Sequence, residues 1–198
     1  MNIGLTGGIA TGKSTVSKML VDKGAILIDA DQVAREVVLP GSAVLDKVYE
    51  RFGQAIRNAD GSLDRKKLGD IVFADRKARK DLEALLHPAI REIMKERMSR
   101  AELEHPESLV VADIPLLFES GLQHLYDEVL LVYVPEEIQI RRLMARDGID
   151  EEQATLRIRA QMPIEDKKKM ADIVIDNSGT PESTRNQIDL FWIGKGLK

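Results

Sequence analysis

Residues 7–14 read Gly7-Gly8-Ile9-Ala10-Thr11-Gly12-Lys13-Ser14 and match G-x-x-x-x-G-K-[ST] without substitution. An apolar run over 1–6 precedes them and an amphipathic stretch over 15–23 follows, which is the strand–loop–helix context such a motif requires. Its glycines let successive backbone N–H groups curl toward one anion, and the helix N-terminus adds its positive end. Gly8, Ile9, Ala10, Thr11, Gly12, Lys13, Ser14 and Thr15 then surround a nucleotide's phosphates. Lys13 reaches the β- and γ-phosphates and the Ser14 hydroxyl is the expected Mg²⁺ ligand.

That loop restricts the fold to an α/β architecture, and the rest of the chain agrees. Short, near-continuous apolar runs at 1–6, 25–29, 109–114, 129–134 and, more weakly, 173–176 read as strands covered on both faces. Strand, helix and strand within about 29 residues make a βαβ unit, so the sheet is expected to be parallel and doubly wound. Between the second and third runs lie about 80 residues without a convincing strand, where a crossover needs only about a dozen. Helices are expected at 33–38, 43–52, 65–73, 77–86 and 89–103, with a break at His87-Pro88. The expected organisation is one P-loop NTPase domain over 1–198, similar to nucleoside-monophosphate kinases. Its core is 1–30, 106–135 and 171–198, with a helical substrate-binding insertion at 31–105 and a helical lid at 136–170.

Composition excludes several other classes. With 43% apolar residues the chain supports a proper core, and a net charge of −4 without a basic stripe argues against a nucleic-acid partner. The absence of cysteine removes disulfides, thiolate metal sites and cysteine nucleophiles. No apolar run approaches a membrane span, and the first strand begins within three residues of Met1, leaving no room for a leader. The expectation is therefore a cytoplasmic protein, a monomer or small homo-oligomer. The densest basic run, Lys167-Lys168-Lys169, reads as a solvated helix face.

Three further features narrow the chemistry. Asp29-Ala30-Asp31 directly follows the second strand, and ligands gather at the carboxyl ends of parallel strands. Asp31 is placed to accept the proton of an attacking hydroxyl, or to cap a helix starting at 32, while Asp29 reads as structural or as a partner of Mg²⁺-bound water. Asp113 closes the run 109–112 in the manner of a Walker-B acid. The segment 136–170 carries Arg141, Arg142, Arg146, Arg157 and Arg159; Arg142 and Arg146 share a helical face and suit a transferring phosphoryl group. No Asn-Lys-x-Asp guanine reader occurs, so ATP is the expected donor. Rival readings are another small-molecule kinase of this architecture and a slowly hydrolysing ATP-dependent switch.

These segments together resemble the dephospho-CoA kinase family along essentially the whole chain. The resemblance rests on residues 5–15, Ile28-Asp29-Ala30-Asp31, Ala34-Arg35 with Pro40-Gly41, and Leu85-Leu86-His87-Pro88. It continues through Pro115-Leu116-Leu117-Phe118-Glu119, Arg142, Arg146-Asp147, Gln161, Ala171-Asp172 and residues 175–179. It implies transfer of the ATP γ-phosphate to the ribose 3′-hydroxyl of dephospho-CoA, with Mg²⁺. Asp31 takes the base position, Lys13 and Arg142 stabilise the moving phosphoryl group, and Arg146 and Asn177 belong to the ATP site, Asn177 near the adenine. Asp31, Arg35, His87, Leu116, Leu117, Phe118 and Glu119 would hold the acceptor. The family more often has Gly-Ser where this chain has Ala10-Thr11.

Overall fold

The structure, a computed structural model, describes residues 1–197; Lys198, the last residue of the expected domain, lies outside them. The chain divides into two compact units, one formed by Met1–Ile28 with the chain from Met98 onward, the other by Asp29–Arg97.

The described residues form one five-stranded sheet: β1 (Asn2–Gly7), β2 (Ile26–Asp29), β3 (Val110–Asp113), β4 (Glu128–Tyr133) and β5 (Ile173–Asp176). Its order is β2-β3-β1-β4-β5, and β1 runs parallel to β3 and β4, as β4 does to β5. Successive residues of a strand face opposite sides, and here both sides are covered. Ile3, Leu5, Leu130 and Val132 pack with Val16 and Leu20 of α1 (Lys13–Asp22) and with Ile188 and Trp192 of α9 (Pro181–Gly194). Leu131 and Tyr133 face the other way, onto Ile164 of α8 (Ile164–Met170). Two-sided burial explains why the strands read as continuous apolar runs. Because β1 is central, the loop that follows it emerges mid-sheet.

Helices α6 (Glu136–Asp147) and α7 (Glu151–Arg159) are joined through Gly148, whose φ of 64° lies in the left-handed region. Asp150 caps α7 by accepting from the Gln153 N–H at 2.8 Å. Leu143, Ala154 and Ile158 form the small core of this pair, and Ile9 and Ala10 pack against it.

The second unit holds α2 (Ala30–Glu36), α3 (Ala43–Phe52), α4 (Arg65–Ala74) and most of α5 (Arg76–Glu104). Ser42 and Asp64 cap α3 and α4 through the N–H groups of Leu45 and Lys67. The cap of α2 is Asp29, which accepts from the N–H groups of Asp31 and Gln32 at 2.8 and 3.2 Å. A helix starting at 32 with Asp31 as its cap is thus corrected, and the Asp31 carboxylate stays exposed. The break expected at His87-Pro88 is also absent, since α5 runs through Pro88. Ala84, His87 and Pro88 are all exposed, so the Ala84 carbonyl that loses its partner four residues on lies on the wetted face. Replacing Pro88 by Ala restores that hydrogen bond. Pro88→Ala is expected to stabilise the protein by about 1–3 kcal/mol, read as a higher urea midpoint; an unchanged or lower midpoint would contradict this account of α5.

Candidate active site

A loop that turns its N–H groups inward leaves its carbonyls needing donors elsewhere, because buried backbone groups are rarely unpaired. The partners here come from four parts of the chain. Lys167 Nζ donates to the Gly7 carbonyl at 3.3 Å, and the Thr11 hydroxyl to that of Gly8 at 2.8 Å. Gln139 Nε2 donates to the Ile9 carbonyl and Asn177 Nδ2 to that of Thr11, each at 2.8 Å. The Gly12 carbonyl takes the Thr15 N–H at 2.9 Å as α1 begins. On the donor side, the Ile9 N–H reaches Gln161 Oε1 at 2.9 Å.

Close approach explains two motif glycines. A Cβ on Gly8 would collide with the Gln139 amide, and one on Gly12 with the Asn177 amide. Gly12 has φ 84°, a left-handed conformation that side chains oppose. Ala10 shares that region at φ 61°, the only non-glycine among the described residues to do so. Its methyl group packs beside α6 and α7, which offsets part of the strain.

The loop walls a cleft of about 660 Å³ whose lining includes residues 7–15, Pro115, Arg142, Arg146, Gln161, Asn177 and Gly179. Lys13 forms an ion pair with Asp113, which ends β3 beside β1. The acid is buried and the lysine largely so, which strengthens their attraction. Arg142 donates to the Asn177 carbonyl at 2.8 Å, and its other terminal nitrogen lies beside Gly12. Arg146 is exposed at the cleft and holds Asp147 through two hydrogen bonds, with Arg157 on the same carboxylate at 2.7 Å. The Arg146 hydrogen bond holds the Asp147 carboxyl below the usual range.

The structure thus brings together Gly8 through Thr15, Arg142, Arg146 and Asn177. Asn177 is built in rather than free: its Oδ1 accepts from the Thr184 hydroxyl at 2.9 Å while its amide holds the loop. Of the acceptor candidates, Asp31 and Arg35 lie on α2 and His87 on α5, all exposed and all in the second unit. Leu116 is exposed, but Leu117 and Phe118 are 0% and 4% exposed and belong to the core of the first unit. Glu119 accepts from the Met162 N–H at 3.1 Å and pairs with Lys167 at 2.7 Å.

That last contact corrects the lysine run. Lys168 lies over the Tyr133 ring and Lys169 pairs with Asp166, but Lys167 is fully buried. A continuous basic triplet gives no hint that its first member turns inward. Gln139 and Thr184 are further site residues that the sequence reading does not single out. Gln139 stands one helical turn before Arg142 and shares its face, which is the one signal that pointed to it.

A parallel sheet with this loop at the end of its central strand, a helical pair over it and a lysine–acid pair at its base define a P-loop kinase-like protein. A model of the dephospho-CoA kinase family matches residues 1–182, and the chain belongs to that family. A dephospho-CoA kinase from Carboxydothermus hydrogenoformans is 50% identical over 188 residues, covering 94% of this chain and 90% of that one. The structure of a dephospho-CoA kinase from Campylobacter jejuni is 33% identical with a TM-score of 0.76, covering 98% of each chain. A shikimate kinase from Acinetobacter baumannii shares the fold at 20% identity and a TM-score of 0.56, covering 100% of this chain and 95% of that one.

Gly12→Ala places a methyl group against a buried, hydrogen-bonded amide in a conformation it opposes. The variant is expected to bind ADP at least tenfold more weakly by calorimetry; affinity within twofold of the parent would refute the close-packing account.

Proposed function

We infer that this chain transfers the γ-phosphate of ATP to dephospho-CoA, giving coenzyme A and ADP, the final step of coenzyme A formation. The observation that carries the reading is family membership over residues 1–182 with the phosphate loop intact. The acceptor is the ribose 3′-hydroxyl. Its oxygen attacks the γ-phosphorus in line, the bond to the β,γ-bridging oxygen breaks, and ADP departs.

Asp31, just past the carboxyl end of β2, takes the hydroxyl proton. Lys13 and Arg142 stabilise charge on the transferring oxygens, as fixed cations do where water is excluded. For Lys13 this requires its ammonium to share itself between Asp113 and the phosphates. Arg146 and Asn177 complete the nucleotide side, Asn177 near the adenine, while Arg35, His87 and Leu116 contact the acceptor.

Hard oxygen donors suit Mg²⁺, and the Ser14 hydroxyl opens α1 beside Lys13, whose partner is the Asp113 carboxylate. Ser14 would hold the ion directly, with Asp113 or Asp29 proposed as a partner of its bound water. When bound, Mg²⁺ neutralises charge on the β- and γ-phosphates. Among the described residues no helix is long and apolar enough to cross a membrane. The enzyme is proposed to work in the cytoplasm as a monomer or small homo-oligomer, without nucleic-acid partners.

Mass spectrometry should show coenzyme A formed from Mg·ATP only when dephospho-CoA is present. ATP binding without acceptor-dependent product would overturn the substrate assignment. Asp31→Asn is expected to lower kcat at least a hundredfold while leaving ADP affinity within threefold; near-normal turnover would remove Asp31 as the base.

A further inference from the structure

The kinase reading leaves unused Lys167, the one lysine among the described residues that is completely buried. Lys167 opens no path to solvent, yet it carries an ammonium into the space behind the phosphate loop. It touches two groups there: the Gly7 carbonyl at 3.3 Å, where β1 passes into the loop, and Glu119 Oε1 at 2.7 Å. The same Glu119 oxygen accepts from the Met162 N–H, and the neighbouring Gln161 accepts from the Ile9 N–H. Residues 161–167 therefore hold the loop on both sides of Gly8, by a carbonyl before it and an N–H after it.

Stability alone does not call for such an arrangement. A buried ammonium loses its hydration, and an apolar residue of similar volume commonly serves a core as well or better. What an apolar side chain cannot supply is a donor for the Gly7 carbonyl or a fixed positive charge behind the phosphates. We propose that Lys167 is a positioning residue for phosphoryl transfer, setting the entry of the phosphate loop through the Gly7 carbonyl, and that Glu119 is its counterion rather than an acceptor contact. Glu119 in turn fixes the α7–α8 connection through Met162, so loop and lid share one charged anchor.

The inference deepens the kinase reading and rests on it for turnover, while ADP affinity tests it separately. Lys167→Met keeps volume but removes charge and donor; the folded variant is expected to bind ADP at least tenfold more weakly, with Lys167→Arg restoring affinity to within threefold of the parent. A folded Lys167→Met enzyme binding ADP within twofold of the parent overturns the proposal. Should Lys167→Met fail to fold, Glu119→Gln decides: the KM for ATP is expected to rise at least threefold with the KM for dephospho-CoA within twofold. A Glu119→Gln enzyme whose KM for ATP stays within twofold, or whose KM for dephospho-CoA rises instead, overturns it. A parent enzyme that binds ADP but forms no coenzyme A would sink the substrate assignment and leave the ADP test intact.

Discussion

Curling backbone N–H groups around an anion has a structural consequence on the other side of the chain, where the carbonyls face away from the ligand and into protein. The molecule meets that demand with side chains drawn from distant segments. Lys167 serves Gly7, Gln139 serves Ile9 and Asn177 serves Thr11, each through a direct hydrogen bond. An unpaired buried carbonyl costs about 1–3 kcal/mol, so the loop's shape depends on α6, α8 and the turn after β5 being in place. Those segments cannot be treated as a mere cover over the nucleotide.

The sheet makes this convergence possible. With β1 flanked by β3 on one side and β4 on the other, the loop at its end is reached by Asp113 from one neighbour and by α6, which follows the other. Asn177 follows β5, one strand further out. Residues separated by more than 160 positions, such as Thr11 and Asn177, thus meet across two strands. Open parallel sheets collect ligands at the carboxyl ends of their strands for this geometrical reason.

Charge in the first unit falls into two groups with different surroundings. Lys13 with Asp113 and Lys167 with Glu119 each bury one partner, Asp113 and Lys167, so that losing the other partner leaves a buried charge unpaired. Arg146, which lines the cleft, shares Asp147 with Arg157 at the surface, where salt screens such pairs. Pairs with a buried member hold geometry, and surface pairs of this kind can exchange partners. The proposed phosphoryl transfer draws on both, with the charges buried behind the loop and the arginines at the surface.

The phosphate loop, the apolar strands and the helix boundaries at 43–52 were all legible in the residues, because each follows from local spacing and backbone chemistry. Arg35 and His87 were singled out by the family resemblance alone, Asp31 also by its place after the second strand, and their roles are proposals. Local signals failed where a side chain's environment is made by chain far away. Pro88 reads as a helix stop, yet it sits on the wetted face of α5, where the freed carbonyl needs no protein partner. Lys167 reads as surface within a basic triplet, yet it is fully buried. By itself the sequence determined that this chain binds nucleotide phosphates on a parallel α/β sheet, since a four-position motif and short continuous apolar runs are properties of neighbouring residues. Which lysine turns inward, which amides hold the loop and which acid meets Lys13 were decided only by the tertiary structure. Burial and hydrogen-bond partnership arise from packing segments together, and a single segment carries no record of them.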